Sequence, residues 1–384
     1  MLAETFDIAD LGAFAEFAPL RGEVRAFLDE QRTRGIWAPV PAWWEAYNPD
    51  FSSALGARGW IGMTWPKAYG GGGLSPLARF VVTEELLAGG APVKAHWQAD
   101  RQVGPLILRY GSEEQKRDLL PRIAAGELFF CVAMSEPDSG SDLASIRTKA
   151  TRVDGGWLIS GTKVWISFAH RAHMMELFAR TSPAPPENRR SGVTQFLVDL
   201  RAPGIEIRPI INMAGEHDFN EVVLDGVFIP DSMVLGAVDG GWNQVSDELS
   251  YAHSGPERWL SNFGLLAAVI DHLGPEIAAA DAEEIGRLTS HIVTLRRISM
   301  SIAALAQAGL SMKQEAALAK DLATNFEQEL AAVACRLVPE GERATAETVA
   351  AMLERAVLYA PSHTIRAGTR EILRGIIARG LGLR

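Results

Sequence analysis

Hydrophobic side chains in the first third of the chain recur every three to four residues, which is the spacing of amphipathic helices. Residues 18–33 and 76–91 show this spacing most clearly, and a turn-rich stretch that includes Gly70–Gly73 separates them. A further helix is predicted to begin at the capping-box sequence Ser112–Gln115 and to end near Pro121. The beginning of the chain is therefore predicted to be helical.

The pattern changes after Glu127. Short runs of β-branched and aromatic residues then alternate with turn formers such as Asp154–Gly156, which is typical of antiparallel strands. After Gly241 the helical spacing returns and continues almost to the end of the sequence. The strand-like runs are residues 129–134, 157–160, 163–167, 174–180, 194–199 and 221–229, and the later helical runs are 284–310, 312–336, 345–358 and 370–382.

The order of helices, contiguous strands and helices predicts an α+β fold. It does not fit a parallel α/β fold, in which strands and helices alternate. We predict three domains: an N-terminal helical domain over residues 1–128, a central antiparallel β domain over 129–240, and a C-terminal helical bundle over 241–384.

Charge and cysteine content narrow the classes of partner. The 384 residues include 37 basic and 47 acidic ones, which gives a net charge of −10. Nucleic acid and anionic membranes bind best to a positively charged surface, so neither is expected as the main partner. Cys131 and Cys335 are interpreted as reduced thiols of a cytosolic protein. The acidic N-terminal segment is unlike a signal peptide, and no apolar run reaches the ~18 residues of a membrane span. We therefore expect a cytoplasmic location.

Two histidines and a run of glycines are not assigned a metal-binding or phosphate-binding role. His170 and His173 have no cysteine or carboxylate at metal-ligand spacing, so no metal site is predicted. Gly70–Gly73 is not followed by the Gly-Lys-Ser/Thr of a phosphate-binding loop and is interpreted as a turn.

The segment with the most informative chemistry is Ala133–Asp142, which leaves a predicted strand and offers hydroxyls and free backbone N–H groups. A flavin ring needs short polar contacts along one edge and apolar or aromatic cover on its faces. Trp165 and Ser167, on a later predicted strand, supply an indole for a ring face and a hydroxyl for N5. Alone, Ala133–Asp142 is as easily a surface turn; together with Trp165 it predicts a flavin site.

These segments resemble the acyl-CoA dehydrogenase family. Ala133–Asp142 is similar to the family signature Ser/Thr-Glu-Pro-x-Ala/Ser-Gly-Ser-Asp, and Lys163–Ser167 is similar to its Lys-x-Trp-Ile-Thr/Ser strand. Further matches follow in order over nearly the whole chain. They are Gly111–Lys116, Leu120–Pro121, Gly126–Glu127, Asp225–Val227, Ile229–Pro230, Gly240–Trp242, Gly368–Thr369 and Glu371–Ile372.

The resemblance implies noncovalently bound FAD, an acyl-CoA substrate, and an electron-transfer flavoprotein or another electron acceptor. It implies that the flavin is contacted by Val132, Met134, Ser135, Ser141, Trp165, Ile166 and Ser167. It assigns the FAD phosphate–adenine region to Thr369 and Glu371, and the substrate to Ser141, Tyr251, Arg258 and Gly368.

The sequence departs from the family where the catalytic base is expected. Removing the proton α to a thioester requires a well-placed base, and the family uses a glutamate at one of two positions. One lies in a Leu-x-x-Glu-Arg segment early in the last domain, and the other directly precedes the C-terminal Gly-Thr. Here these positions are Ala252 and Ala367, which cannot accept a proton.

Three nearby side chains are alternative bases. His253 is chemically suitable near neutral pH but points about 100° away from residue 252 on a regular helix. Glu248 lies one turn earlier on the same face as Ala252. Glu257 follows Ser254 at capping-box spacing, so that starting a helix is its alternative role. Arg258 is either a ligand of the CoA phosphates or a solvated surface arginine.

A second departure concerns the ADP half of FAD. Many family members hold it with Arg-x-x-Phe-Gly and Gln-x-x-Gly-Gly motifs, and neither occurs in His291–Ala308. Arg296 and Arg297 are the basic candidates there, with a helix-surface role as the default. Divergent members that act on steroid side chains also lack these motifs, and some assemble from two different subunits that share FAD sites.

The leading hypothesis is therefore a flavin-dependent oxidoreductase of fatty-acid or steroid side-chain metabolism that desaturates an acyl-CoA at the α,β bond. The resemblance suggests a bulky or polycyclic acyl group and a homodimer, homotetramer or α2β2 heterotetramer. Two alternatives stay open. One is a silent subunit that completes a partner's site, and the other is a flavoprotein with different thioester chemistry.

Overall fold

The computed structural model describes residues 11–37, 46–252, 255–343 and 346–383, and the side chains of these residues except at 11–13 and 248–252. The chain forms two compact units. The described parts of residues 1–46, 74–93 and 252–384 form the helical unit, and residues 47–73 and 94–251 form the sheet unit. The boundaries of the three sequence-based domains stay a prediction.

Eight strands form the sheet of the sheet unit, in the spatial order β6-β7-β3-β2-β4-β5-β8, with β1 paired to β4. Most neighbours are antiparallel, as predicted, but β4 runs parallel to both β1 and β2. The strands are β1 Phe130–Ala133, β2 Lys149–Val153, β3 Gly156–Ser167, β4 Met174–Arg180, β5 Val193–Asp199, β6 Ile205–Ile210, β7 Phe219–Pro230 and β8 Val234–Leu235.

Side chains that alternate along these strands bury the core of the sheet unit. Ile159, Met175, Phe196 and Val222 are completely or almost completely buried in it. The sequence analysis missed β2, β6 and β8. In β6 no side chain is fully buried, and in β2 only Ala150 is, so that neither strand shows the hydrophobic run by which the others are recognised.

The helices of the sheet unit precede and follow the strands. Residues 112–124 show the predicted capping box: the Ser112 hydroxyl accepts from the Gln115 N–H at 3.1 Å, and Gln115 Oε1 accepts from the Ser112 N–H at 3.0 Å. The predicted end at Pro121 is wrong. The buried side chains of Leu120 and Ile123 hold the last turn, and the helix stops before Gly126, whose φ is +71°. The helices are α2 Pro49–Ala57, α4 Lys94–Gln98, α5 Gly104–Tyr110, α6 Glu113–Ala124 and α7 Gly241–Ala252.

The helical unit contains the remaining described helices. In the described part of the chain, none of the helices has the length and hydropathy of a membrane span. The helices of this unit are α1 Ala18–Thr33, α3 Pro76–Ala88, α8 Phe263–Leu273, α9 Ala279–Gln307, α10 Lys313–Leu337, α11 Glu340–Arg343, α12 Glu347–His363 and α13 Arg370–Gly380.

Buried ion pairs join three helices of this unit. Glu84 and Glu85 of α3 are buried, and Arg21 of α1 contacts both carboxylates at 2.6 and 2.5 Å. Arg296 of α9 forms a bidentate pair with Glu84, at 2.6 and 3.1 Å. Arg296 therefore has a structural ion-pair role, and a contact of Arg296 or Arg297 with FAD stays a prediction.

Candidate functional site

Three hydrogen bonds attach the loop after β1 to strand β3. Lys163 Nζ donates to the Met134 carbonyl at 2.9 Å and to Glu136 Oε1 at 3.0 Å. The N–H of Val164 donates to the Ser135 carbonyl at 2.9 Å. The structure therefore brings together the two sequence segments from which a flavin site was predicted. We call residues 134–142 the motif loop.

The motif loop folds around the carboxylate of Glu136. Glu136 and Ser139 exchange backbone hydrogen bonds at 2.8 and 3.0 Å, and the Ser139 hydroxyl donates to the Asp142 carbonyl at 2.7 Å. The Glu136 carboxylate accepts from the N–H groups of Arg147 at 2.6 Å and Thr148 at 2.9 Å. One buried side chain thus closes the loop at both ends.

Lys163 and Glu136 form a buried ion pair, since Lys163 is 0% exposed and Glu136 is 7% exposed. Burial lowers the pKa of Lys163 to about 8, against the opposing attraction of Glu136. Burial by itself raises the pKa of Glu136, but the Lys163 ammonium and the hydrogen bonds to the carboxylate bring that pKa below its ordinary value. The pair is therefore ionised at neutral pH, and each charge depends on the other.

Strand β3 carries an irregularity directly after Lys163. Its register against β7 shifts between Lys163 and Ile166, and Trp165 has a φ of +63°. Such a conformation costs an indole-bearing residue about 1–3 kcal/mol. The Trp165 side chain is 59% exposed and contacts Phe219 edge to face at 6.0 Å. A strained backbone that presents an exposed indole is typical of a ligand-binding position.

The other residues predicted to contact the flavin lie on the same two segments. Ile166 is buried and Ser167 is half-buried, while Ser141 is exposed on the motif loop. Val132, Met134 and Ser135 are half-buried. Backbone N–H groups, hydroxyls and one free aromatic face are the donors and cover that an isoalloxazine ring needs, so these residues fit a flavin.

A second carboxyl group lies in the interior of the sheet unit. Glu176 of β4 is 0% exposed, and its backbone is paired with Val132 of β1. Burial raises the pKa of Glu176 to about 8, against the opposing effects of Lys163 and Gln195. Because Lys163 is already bonded to the ionised Glu136, Glu176 is neutral at pH 7.

We expect Glu176→Gln to change how stability depends on pH between pH 5 and 8. A carboxyl group whose folded-state pKa is raised stabilises the fold at low pH, and this contribution is lost as pH rises through the folded-state value. The free energy of unfolding of the unchanged protein should therefore fall relative to Glu176→Gln by up to ~1.4 kcal/mol per pH unit. Urea unfolding at several pH values measures this difference.

The control for this experiment is Glu187→Gln, at an exposed glutamate of the same unit. It should follow the unchanged protein at every pH. Parallel curves for Glu176→Gln and the unchanged protein would show that Glu176 is already ionised at the lower pH values.

Glu257, predicted as a weak alternative base, lies in the helical unit, in the 3₁₀ turn Pro256–Arg258. Its side chain is 5% exposed. Oε1 accepts from the N–H of Gly255, the N-cap of this turn, at 3.2 Å, whereas Oε2 has no hydrogen-bond partner among the described residues. The predicted capping box with Ser254 lies outside the described residues. A buried carboxylate oxygen without a donor costs ~1–3 kcal/mol or more, so its persistence calls for an explanation, and a functional role is one such explanation.

Of the neighbouring candidates Arg258, His253 and Tyr251, the structure describes only the side chain of Arg258. Arg258 is half-buried, and burial lowers its pKa against the attraction of Glu257. Its contact with the CoA phosphates stays a prediction. His253 lies outside the described residues. Helix α7 ends at Ala252, and the side chain of Tyr251 is not among those described.

A buried lysine that the sequence analysis missed holds the segment before Thr369. Lys320 of α10 is 0% exposed, and its Nζ donates to the carbonyls of Arg366 and Ala367, both at 2.8 Å, and to that of Gly368. Ala367 and Gly368 have φ values of +54° and +93°. Burial lowers the pKa of Lys320 to about 6. Its sequence neighbourhood is an ordinary amphipathic helix, so only the three-dimensional contacts reveal this role.

The two residues assigned to the FAD phosphate–adenine region follow this segment. Thr369 is the N-cap of α13. Glu371 is exposed, and its own backbone N–H and the Thr369 side chain lower its pKa. The first turn of this helix thus carries the Glu371 carboxylate next to Arg370, whose guanidinium is paired with Asp321 at 3.0 Å. The contact of Thr369 and Glu371 with FAD stays a prediction.

Glu327 and His363 are further buried groups that the sequence analysis missed. Glu327 accepts from the N–H groups of Ser261 at 2.6 Å and Asn262 at 3.0 Å, directly before α8, and burial raises its pKa to about 7. His363 is 1% exposed, and burial and Arg366 lower its pKa well below its ordinary value. The Asn262 side chain lies 3.5 Å from His363 Nε2, and the Ser261 hydroxyl lies 3.5 Å from the Glu257 carbonyl, so Glu327, His363 and Glu257 are all close to the segment that precedes α8.

Comparison with known families confirms the resemblance. Residues 15–127 match the acyl-CoA dehydrogenase N-terminal domain, residues 131–227 the middle domain, and residues 280–382 the C-terminal domain. The chain belongs to the acyl-CoA dehydrogenase family. FAD is the cofactor of this family, and the exposed indole and the polar atoms of the motif loop fit it.

The chain is similar to a curated acyl-CoA dehydrogenase and to solved structures, one of which is a steroid ACAD. It is 36% identical to the acyl-CoA dehydrogenase FadE34 of Mycobacterium tuberculosis over 86% of this chain, and it spans 45% of that relative. Its structure resembles Tcur3481–Tcur3483 steroid ACAD, with a TM-score of 0.85, 25% identity, and 98% and 99% of the two chains covered. It also resembles the ChsE4–ChsE5 complex of Mycobacterium tuberculosis, with a TM-score of 0.81, 28% identity, and 96% and 98% covered.

Proposed function

We propose that this chain is a FAD-dependent acyl-CoA dehydrogenase that desaturates the acyl group of a steroid-derived thioester. The observation that carries the proposal is the exposed, strained Trp165 beside the motif loop that Lys163 fastens to strand β3. The similarity to a steroid ACAD supports the substrate class. Bound FAD would supply the acceptor for a hydride from the β carbon.

The residues of this chain would perform the remaining steps. Trp165 would cover one face of the flavin, while Ser135, Ser141 and Ser167 would supply hydrogen bonds to its polar edge. The carboxylate of Glu257 would take the α proton, because its Oε2 has no competing donor among the described residues. Loss of a proton from Cα and of a hydride from Cβ leaves the α,β double bond.

A second candidate function is a subunit that completes the site of a different chain. Alanine at both usual base positions, 252 and 367, favours it. The similarity to the ChsE4–ChsE5 complex supports an assembly of two related chains. In that case this chain would bind FAD but would need a partner subunit to turn over substrate.

Titration with FAD tests the flavin assignment directly. We expect Trp165→Ala to weaken FAD binding at least tenfold, because a ring face loses its aromatic cover. Phe228→Ala is the matched control, since Phe228 is also exposed, at 49%, on a strand of the same sheet. Equal FAD affinities for Trp165→Ala and the unchanged chain would remove the basis of the proposal.

Anaerobic flavin bleaching separates the two candidate functions. The purified chain, reconstituted with FAD, is mixed with straight-chain, branched and steroid side-chain acyl-CoA thioesters in turn, and the flavin absorbance is followed. We expect bleaching by the steroid thioester and not by a short straight-chain one. Bleaching only after addition of a related second subunit would support the partner-subunit role instead.

A further inference from the structure

The described side chains include a partly buried polar cluster, formed by Asn220, His170 and His217, that the proposed function does not use. Asn220 of β7 is 0% exposed, and its Nδ2 lies 2.9 Å from the carbonyl oxygen of Ile166. Its Oδ1 lies 3.1 Å from His170 Nδ1 and 2.8 Å from His217 Nε2. The two imidazole rings are stacked, with centroids 3.8 Å apart and an interplanar angle of 15°.

The hydrogen-bonding partners fix the orientation of the amide. A backbone carbonyl can only accept, so the amide nitrogen of Asn220 must face Ile166 and donate to it. The amide oxygen then faces both imidazoles and must accept from them. His170 therefore carries a proton on Nδ1 and His217 carries one on Nε2, and the two histidines together hold the amide in the orientation that serves Ile166.

The bond to Ile166 falls at the irregular part of β3. Ile166 lies between Trp165 and Phe168, which have φ values of +63° and +55°. On the same side, the Phe168 N–H donates to the Asp218 carbonyl at 2.8 Å, and Asn212 Nδ2 donates to the Asp218 carboxylate at 2.7 Å. Conformations this strained persist only where surrounding contacts determine them, and these contacts come from β7 and the segment before it.

We propose that Asn220, held by the stacked pair His170 and His217, is a positioning residue that sets the conformation of Trp165–Ser167 for flavin binding. The inference rests on the assignment of this strand to the flavin in the proposed function. Its action is indirect, since Asn220 would contact Ile166 and not the cofactor. Removing its donor should release the strand and weaken FAD binding without removing any group predicted to touch the flavin.

Asn220→Asp is the primary variant, because it is nearly isosteric but places an oxygen that cannot donate against the Ile166 carbonyl. At pH 7.5 we expect FAD to bind at least tenfold more weakly than to the unchanged protein. Asn188→Asp, in an exposed loop of the same unit, is the control and should bind FAD normally. Hydrogen exchange of the backbone amides in 164–169 of FAD-free protein should be at least tenfold faster in Asn220→Asp and unchanged in the control.

Conservative replacements of the histidines separate positioning from general stability. Asparagine can place an N–H where His170 Nδ1 lies, and glutamine can place one where His217 Nε2 lies. His170→Asn and His217→Gln should therefore keep FAD affinity within about threefold of the original, whereas His217→Leu should weaken it at least fivefold. These variants also serve if Asn220→Asp does not fold.

The two readouts distinguish the failure of this inference from that of the proposed function. Unchanged hydrogen exchange in 164–169 of both Asn220→Asp and His217→Leu would overturn the positioning role, whatever FAD does. Suppose instead that exchange becomes faster but that neither Trp165→Ala nor Asn220→Asp weakens FAD binding. Asn220 would then set the conformation of the strand, but the assignment of this strand to the flavin would be refuted. Equal FAD affinity of His217→Leu and His217→Gln would also contradict the role of the imidazole N–H.

Discussion

Lys163→Met is expected to abolish measurable FAD binding and to lower the free energy of unfolding by about 3–5 kcal/mol. The change leaves the Glu136 carboxylate buried without its counter-ion and removes the donor to the Met134 carbonyl. The motif loop would then lose its attachment to β3. Urea unfolding and FAD titration measure the two effects separately.

A half-buried lysine whose partner is exposed, Lys116, provides the control for this experiment. Lys116 pairs with Glu113 in a helix of the same unit, at 3.3 Å, and Glu113 is largely exposed. Lys116→Met should therefore cost no more than about 1 kcal/mol and should leave FAD binding unchanged. A cost of similar size for both variants would mean that the buried pair has no special role.

A double replacement tests whether the two effects have one cause. Glu136→Gln combined with Lys163→Met removes both buried charges, so it should recover part of the stability lost in the single variant. It should not recover FAD binding, because glutamine offers no ammonium to the Met134 carbonyl. Recovery of both properties together would show that only the unpaired charge, and not the attachment of the loop, weakens FAD binding.

The sequence predicted the flavin segments but not the contacts that hold them. The chemistry of Ser135 and Trp165 predicted that their segments lie together, and the hydrogen bond from the Val164 N–H to the Ser135 carbonyl shows that they do, while their contact with the flavin stays a prediction. The exposed indole on a left-handed backbone was not predictable, because it arises from a register shift between β3 and β7. The ion pair between Lys163 and Glu136 was not predictable either, because the two residues are 27 positions apart in sequence and no local pattern relates them.

Other misses have similar physical causes. The parallel pairing of β4 with β1 joins residues about 44 positions apart, and no local pattern encodes it. Pro121 was expected to end its helix, but packing of the turn around it outweighs one lost backbone hydrogen bond. Lys320 has the sequence context of a helix surface, although it is completely buried. In each case tertiary contacts override the local preference on which the prediction depended.

The catalytic base is the point at which sequence reasoning left the most alternatives. Helix periodicity related His253 and Glu248 to the missing glutamate at position 252, but it could not report burial or hydrogen bonding. The structure distinguishes Glu257 by its burial and by one carboxylate oxygen without a donor among the described residues. That observation supports Glu257 as the base, and substitution can test it.

Glu257→Gln is expected to lower kcat for acyl-CoA desaturation by about 10²–10⁴-fold, the usual contribution of a general base. Glutamine keeps the size of the side chain and can still accept from the Gly255 N–H, so the 3₁₀ turn and FAD affinity should be unchanged. His253→Ala in parallel, with kcat and FAD affinity measured for both, separates the two candidate bases. A large loss of kcat in His253→Ala, together with normal turnover by Glu257→Gln, would assign proton removal to the imidazole. If neither variant slowed turnover, the α proton would have to be taken by Glu248, the third candidate, or by a group from a partner subunit. If the chain turns over substrate only with a partner subunit, Ala252→Glu, which restores a carboxylate at the usual position, should make it active without that partner.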